Sequence, residues 1–244
     1  MARFPKSSYL IALASLATGY FAGHTTSETA SQTAFPMPIS EVFIERDSYT
    51  LAYDGRHKQA RWVYENLTAE RANGNAMRKN YPFKEDPLVP EPLRSTPQDY
   101  AGSGFDRGHL CPAADAKLSD AFMQETFYLS NISPQCPEFN RGFWAKMEKH
   151  VRALATQYQS VHVFTGGLYL PSKEKLVKYQ VIGDNYVAVP THFFKVIFGQ
   201  DRTLLEAYIL PNSPIAASTP LQNFSATLDQ VERSAGIFFL KNAL

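Results

Sequence analysis

The residues richest in chemistry fall between Asp106 and Glu148. Arg107 and His109 sit in the run Asp106-Arg107-Gly108-His109, Asn131 follows in Ser130-Asn131, and Asn140 and Glu148 complete the stretch. Together they supply an imidazole, a guanidinium, two carboxamides and a carboxylate. An imidazole can take a proton from water near neutral pH. A carboxamide oxygen is a neutral ligand for a hard cation and leaves the ion's charge available to an anion. Those are the parts that phosphodiester hydrolysis requires: a base for water, a cation for the crowded phosphorus and the leaving 3′ oxygen, and a further positive group. General chemistry permits this reading without selecting it. A packed histidine, an asparagine at a helix start and a solvated glutamate would have the same spacing.

The elements around these residues must place them together. Phe143, Met147, Val151, Leu154 and Tyr158 recur at helical spacing, which predicts a helix over Pro137–Tyr158 with one apolar stripe. On that helix Asn140, Trp144 and Glu148 are four apart. Eight residues turn roughly 80° net, so Asn140 and Glu148 keep to neighbouring sides. Arg107, two residues before His109, is expected to face the same side of a strand and to lower the histidine's affinity for a proton.

Elsewhere the pattern is one of hairpins. Ser48–Tyr53 and Ala60–Tyr64 are β-rich runs around Asp54-Gly55, where the glycine is expected to supply a positive φ. Tyr179–Ile182 and Tyr186–Val189 flank Gly183-Asp184-Asn185. Ser160–Phe164, His192–Phe198 and Leu205–Leu210 read as further strands. A closing amphipathic helix is expected over Ala226–Ala235, capped by Gly236, with an apolar tail from Ile237 to Leu240. Residues 71–104, rich in proline and glycine, read as a functional surface loop. Hairpins outnumber βαβ units, so the fold class is α+β, with a mainly antiparallel central sheet and flanking helices.

Bulk properties set limits. The 244 residues carry a formal net charge of +1, which argues mildly against a broadly basic nucleic-acid binder but says nothing of a local patch. Two cysteines, Cys111 and Cys136, are too few for a disulfide framework. The N-terminus has Arg3 and Lys6, no Asp, Glu, Lys or Arg from Ser7 to Ser27, and an apolar heart over Tyr9–Phe21. Residues 1–34 are read as a targeting segment or membrane anchor with its linker, against the alternative of a buried first helix. Residues 35–244 form the expected domain, enough for one sizeable core.

The ordered motifs make the choice that chemistry leaves open. Asp106-Arg107-Gly108-His109, Leu129-Ser130-Asn131-Ile132-Ser133-Pro134-Gln135, Phe139-Asn140-Arg141-Gly142-Phe143-Trp144 and Glu148 resemble the DNA/RNA non-specific endonucleases of the ββα-metal (His-Me finger) class. Val177–Gly183 and Val187–Val196 resemble the mitochondrial branch of that family. The resemblance spans roughly residues 40–240. It implies that His109 is the general base and that Asn140 is the direct ligand of one Mg2+, with Mn2+ as a substitute. It implies that Glu148 orients water in the ion's shell, that Asn131 helps arrange the site, and that Arg107 meets substrate phosphate. Arg141, in the same motif, is assigned to substrate binding. The family also uses an upstream arginine, for which Arg61 is the candidate. DNA and RNA substrates, a homodimer and a ββα element carrying the site are implied too. So is a mitochondrial location, in the intermembrane space or at the inner membrane through the N-terminal segment. A secreted or periplasmic enzyme is the alternative location.

After His109 the chain departs from the pattern frequent in animal enzymes: it has Leu110-Cys111-Pro112-Ala113-Ala114-Asp115 in place of alanines and an Asn-His pair. Cys111 is expected to be a small buried residue, and Asp115 to face a loop or cap. Two readings compete with the enzyme. His109, Cys111, Cys136 and His150 could bind zinc and stabilise a nucleic-acid-binding module without catalysis. A catalytically dead relative is the other, against which stands the retention of His109, Asn140 and Glu148 together.

Overall fold

The computed structural model describes residue 38 and residues 41–79 and 81–239; the proposed N-terminal targeting segment lies outside them. Ten strands and four α-helices follow in chain order: β1 (Glu41–Glu45), β2 (Thr50–Asp54), β3 (Gln59–Thr68), α1 (Ala69–Ala72), β4 (Asp106–His109), α2 (Asp120–Glu125), β5 (Ile132–Gln135), α3 (Ala145–Gln157), β6 (Ser160–Leu168), β7 (Val181–Ile182), β8 (Val187–Ala188), β9 (His192–Phe198), β10 (Leu204–Pro211) and α4 (Leu228–Ala235). Six of the strands form one antiparallel sheet in the order β1-β2-β3-β6-β9-β10. β4 pairs with β5, and β7 with β8, in separate two-stranded ladders. This is the mixed α and β fold with an antiparallel centre that the hairpins imply.

The sheet is covered on both faces. Val63, Leu67, Val161, Val163, Phe193 and Ile197 pack against Phe143, Trp144, Met147 and Val151 of the α3 region. Phe194, Val196, Phe198 and Ala207 pack on the other face with Val231 of α4 and Phe239. β9 is therefore buried on both sides and apolar apart from Lys195 and its first residue, His192. α4 ends as read: Gly236 takes the left-handed conformation (φ 62°) that releases the chain.

Three local features differ from expectation, each for a physical reason. The β2–β3 turn places its positive φ on Lys58, not on Gly55, where a Cβ would stand 2.8 Å from Leu93 Cδ1 and the leucine would have to shift. Next, Trp62 pairs with Ala52 while Ala60 pairs with Tyr53, which leaves Arg61 as the extra residue of a β-bulge and breaks the side-to-side alternation of β3. Finally, the predicted long helix begins as a π-turn over Phe139–Trp144 before α3 proper. The wider turn swings Trp144 into the core beside Phe143, and Tyr158, past the helix end, is 43% exposed.

The proline-rich stretch before β4 is tied down as a strap. Asp86, buried, pairs with Arg46 at 2.6 Å and accepts the Ser130 hydroxyl at 2.5 Å. Tyr53 donates to the Leu93 carbonyl at 2.8 Å, and Arg94 donates to the Val89 carbonyl at 2.7 Å. The strap runs over the site, carrying Arg78 and Phe83 to it.

Candidate active site

β4 and β5 pair antiparallel, with Asp106 opposite Gln135 and His109 opposite Ile132. Gly108 is a packing requirement of this ladder, since a Cβ there would lie 2.2 Å from Gln135 Oε1. The π-turn and α3 complete a strand-strand-helix element. Two hydrogen bonds fix the turn along β4. Asn140 Nδ2 donates to Asp106 Oδ2 at 2.8 Å at one end of the strand. Trp144 Nε1 donates to the His109 carbonyl at 3.3 Å at the other. Lys195, fully buried on β9, lies 5.1 Å from the centre of the Trp144 ring and donates to Thr165 Oγ1 at 2.6 Å, which backs the indole with a fixed cation.

Asp106 holds more than Asn140. Arg141 donates to it through Nε at 2.8 Å and Nη2 at 2.6 Å, and together these donors hold its carboxyl below the usual range against the opposing effect of burial. An amide has one donor end and one acceptor end. With Nδ2 fixed on Asp106, the Asn140 oxygen is directed away from that carboxylate. Arg141 stays at the rim with a largely exposed side chain, though its charge is shared with Asp106.

His109 is 9% exposed, and its Nε2 is buried without a hydrogen-bond partner. Phe83 lies 5.5 Å and Phe127 5.0 Å from its ring centre. Burial first, then the charge of Arg78, push its proton affinity down to a pKa of about 3. Arg78 is therefore the cation that acts on the imidazole, not Arg107. Arg107 lies over the rings of Phe83 and Tyr100 and donates to the Pro97 carbonyl at 3.0 Å, while its Nε is buried and unpartnered.

Glu148, in the first turn of α3, has its pKa raised to about 7 by burial and by Asp115, against the pull of Lys195 and Arg152. Behind it lies a buried charged cluster. Asp115 accepts from Arg152 at 2.7 Å, so it is an ion-pair partner and not a loop cap. Glu65 on β3 is raised to about 7, chiefly by burial, and accepts the Cys111 thiol at 3.3 Å. Cys111 is fully buried, as its size suggests.

Two sequence candidates sit away from the reacting groups. Asn131 is fully buried and spends its amide on the backbone: Oδ1 accepts from Cys111 N, and Nδ2 donates to the carbonyls of Cys111 and Thr126. It staples the segment after His109 and positions the site without facing it. Arg61, turned by its bulge, donates to the Gly236 carbonyl at 2.7 Å at the end of α4. Arg78, which does reach His109, lies in a stretch with no periodicity; the only pointer to it in sequence is the basic pair Arg78-Lys79 upstream of Asp106.

The donor set fits a hard, water-rich cation. Asn140 offers one neutral oxygen with its orientation fixed, and Glu148 lies two turns along the helix, within the one or two protein groups that Mg2+ commonly uses. Among the described residues no group of three or more His, Cys, Asp or Glu is placed to hold a metal ion. The four residues of the zinc reading are dispersed: Cys111 meets Glu65, Cys136 meets Glu138, His150 pairs with Glu206 at 2.6 Å, and His109 lies between phenyl rings.

A family model described as DNA/RNA non-specific endonuclease matches residues 26–244, and the chain belongs to that family. Human mitochondrial endonuclease G is 46% identical over 206 residues, 82% of this chain and 69% of that protein. The mitochondrial nuclease of Saccharomyces cerevisiae is 44% identical over 85% of this chain and 68% of its own length. A crystal structure of an EndoG/EndoGI complex superposes with a TM-score of 0.77 at 43% identity, covering 81% of this chain and 84% of that one.

Proposed function

We propose that this chain is a magnesium-dependent, sugar-non-specific endonuclease that hydrolyses phosphodiester bonds of DNA and RNA. It is an endonuclease of nucleic acids by family, and its location is mitochondrial, as it is for relatives in human, Saccharomyces cerevisiae and Schizosaccharomyces pombe. The observation that carries the chemistry is the pair of hydrogen bonds laying the Asn140–Trp144 turn along Asp106–His109.

His109 accepts the proton of the attacking water as its oxygen bonds to phosphorus and the P–O bond to the 3′ oxygen breaks. Burial and Arg78 keep the ring neutral, so it is ready to accept; an anionic phosphate beside it raises its affinity for the proton as the transfer begins. Arg78 and Arg107 flank the path of the phosphate, and Arg141 at the rim meets the backbone beyond. Asn140 Oδ1 would hold the magnesium ion, which when bound would supply positive charge to the phosphate and the leaving oxygen. Glu148, poised near neutrality, accepts hydrogen bonds from water around that position and orients it. Backbone recognition of this kind distinguishes neither base nor sugar.

Residues 35–244 constitute the endonuclease domain in this reading, and residues 1–34 direct it to the intermembrane space or tether it to the inner membrane. The active form is a homodimer. Among the described residues no helix is long and apolar enough to cross a membrane. The test is plasmid and RNA cleavage over a magnesium titration. His109→Ala is expected to abolish cleavage while nucleic-acid binding persists, and Asn140→Ala to lose both activity and the magnesium response. Either variant cutting at the wild-type rate ends the assignment.

A further inference from the structure

The imidazole of His109 is held in an unusual way. A histidine base is commonly oriented by a hydrogen bond from its second ring nitrogen to a carboxylate or carbonyl. Here Nε2 is buried and has no such partner. Two rings take its place. Phe127 meets the imidazole edge-on, with centres 5.0 Å apart and planes at 84°. Phe83 meets it at 5.5 Å and 53°. The phenyl rings also touch each other at 5.1 Å, so the three rings form a closed triangle. Phe127 is itself buried against Met123 and Ala113, and Tyr81 packs on it at 5.6 Å. Phe83 comes from the strap and Phe127 from the segment between α2 and β5, so the clamp joins two parts of the chain that are distant in sequence.

We propose that Phe83 and Phe127 are positioning residues for the base: their rings, in place of a hydrogen bond, fix the plane of the His109 imidazole and exclude water from its inner nitrogen. This rests on His109 being the base. Edge-to-face packing has a defined geometry that an aliphatic side chain of similar volume does not reproduce. The charged and titratable groups around the clamp are Arg78, whose charge acts on the imidazole and which lies over the Phe127 ring, Arg107 over the Phe83 ring, and Tyr81 against Phe127.

The test compares Phe83→Leu, Phe83→Tyr and Phe127→Leu with wild type, measuring kcat and KM for a defined duplex across pH, with thermal melts as a folding control. A misaligned base is expected to lower kcat on the order of tenfold to a hundredfold while KM holds near wild type. Water reaching the ring is expected to shift the acidic limb of the kcat profile to higher pH, as the imidazole recovers its usual proton affinity. Phe83→Tyr keeps the ring and is expected to retain activity where Phe83→Leu loses it. Should Phe127→Leu fail to fold, the half-buried Phe83 pair decides. Folded leucine variants with the wild-type kcat and acidic limb overturn the clamp. His109→Ala with full activity would instead overturn the base assignment beneath it.

Discussion

Two histidines in this molecule contrast in how they are held. His57, in the β2–β3 turn, pairs with Asp54 at 2.6 Å and stacks on Tyr169 at 4.4 Å. It lines a cavity of about 320 Å³ with Arg56, Arg61 and Ser234. His109 has no pairing at Nε2 and is pressed between phenyl rings. His57 beside the cavity is paired with a carboxylate, whereas His109 Nε2 has no partner. In the proposed mechanism the base is the histidine without a carboxylate partner, not the one beside the cavity.

The largest expected effect tests that contrast directly. His109→Ala should lower cleavage by on the order of 10²–10⁴-fold, the usual contribution of a general base, while His57→Ala leaves kcat near wild type. Comparable losses from both, measured by plasmid nicking, would dissolve the distinction. The arginines sharpen it next. Arg78→Ala should cost roughly 2–4 kcal/mol of transition-state stabilisation, read from kcat/KM, whereas Arg61, which meets Glu41 on β1 and the end of α4, should cost stability alone when replaced by Ala. Asp106→Ala should then raise the magnesium concentration needed for half-maximal rate by on the order of 10–100-fold, because the Asn140 amide is free to rotate. Direct Mn2+ titration by electron spin resonance checks this independently of turnover.

The smallest effects concern stability against pH. Between 6.5 and about 3 an unfolded chain binds a proton at His109 that the folded chain does not, so stability falls as pH drops through that window. Glu65 and Glu148 act in the opposite sense. Between 4.5 and about 7 the folded chain retains protons that the unfolded chain has released, so stability falls as pH rises there. Glu65→Gln should reduce the second slope to the share of Glu148 and leave the first, seen as melting temperatures across pH. A variant with both slopes unchanged would show that Glu65 is ionised throughout.

The sheet and the closing helix were readable because their signals are local and repeated. β6, β9 and β10 alternate or run apolar, and Gly236 falls where a left-handed cap belongs. The motif order from Asp106 to Glu148 likewise pointed to the strands and helix that carry it. What stayed hidden turns on single-residue events. One inserted residue at Arg61 reverses a side chain and moved the expected arginine to the wrong face of the sheet. One π-turn sends Trp144 inward, although its spacing grouped it with Asn140 and Glu148. Arg78 and Phe83 reach His109 only because Asp86, Leu93 and Arg94 fasten an irregular strap, and no period in the sequence reports such fastening. The three backbone bonds of Asn131 appear only once the chain is folded.

The Asp106–Asn140 contact has an evolutionary corollary. A carboxamide gripped by its nitrogen becomes a one-way pointer, and the carboxylate that grips it fixes its polarity. Asn140→Asp would set two anions nose to nose across 2.8 Å, so a neutral ligand cannot drift into an acidic one at this position while Asp106 remains. Replacing Asn140 with an acid is disfavoured for as long as Asp106 is kept.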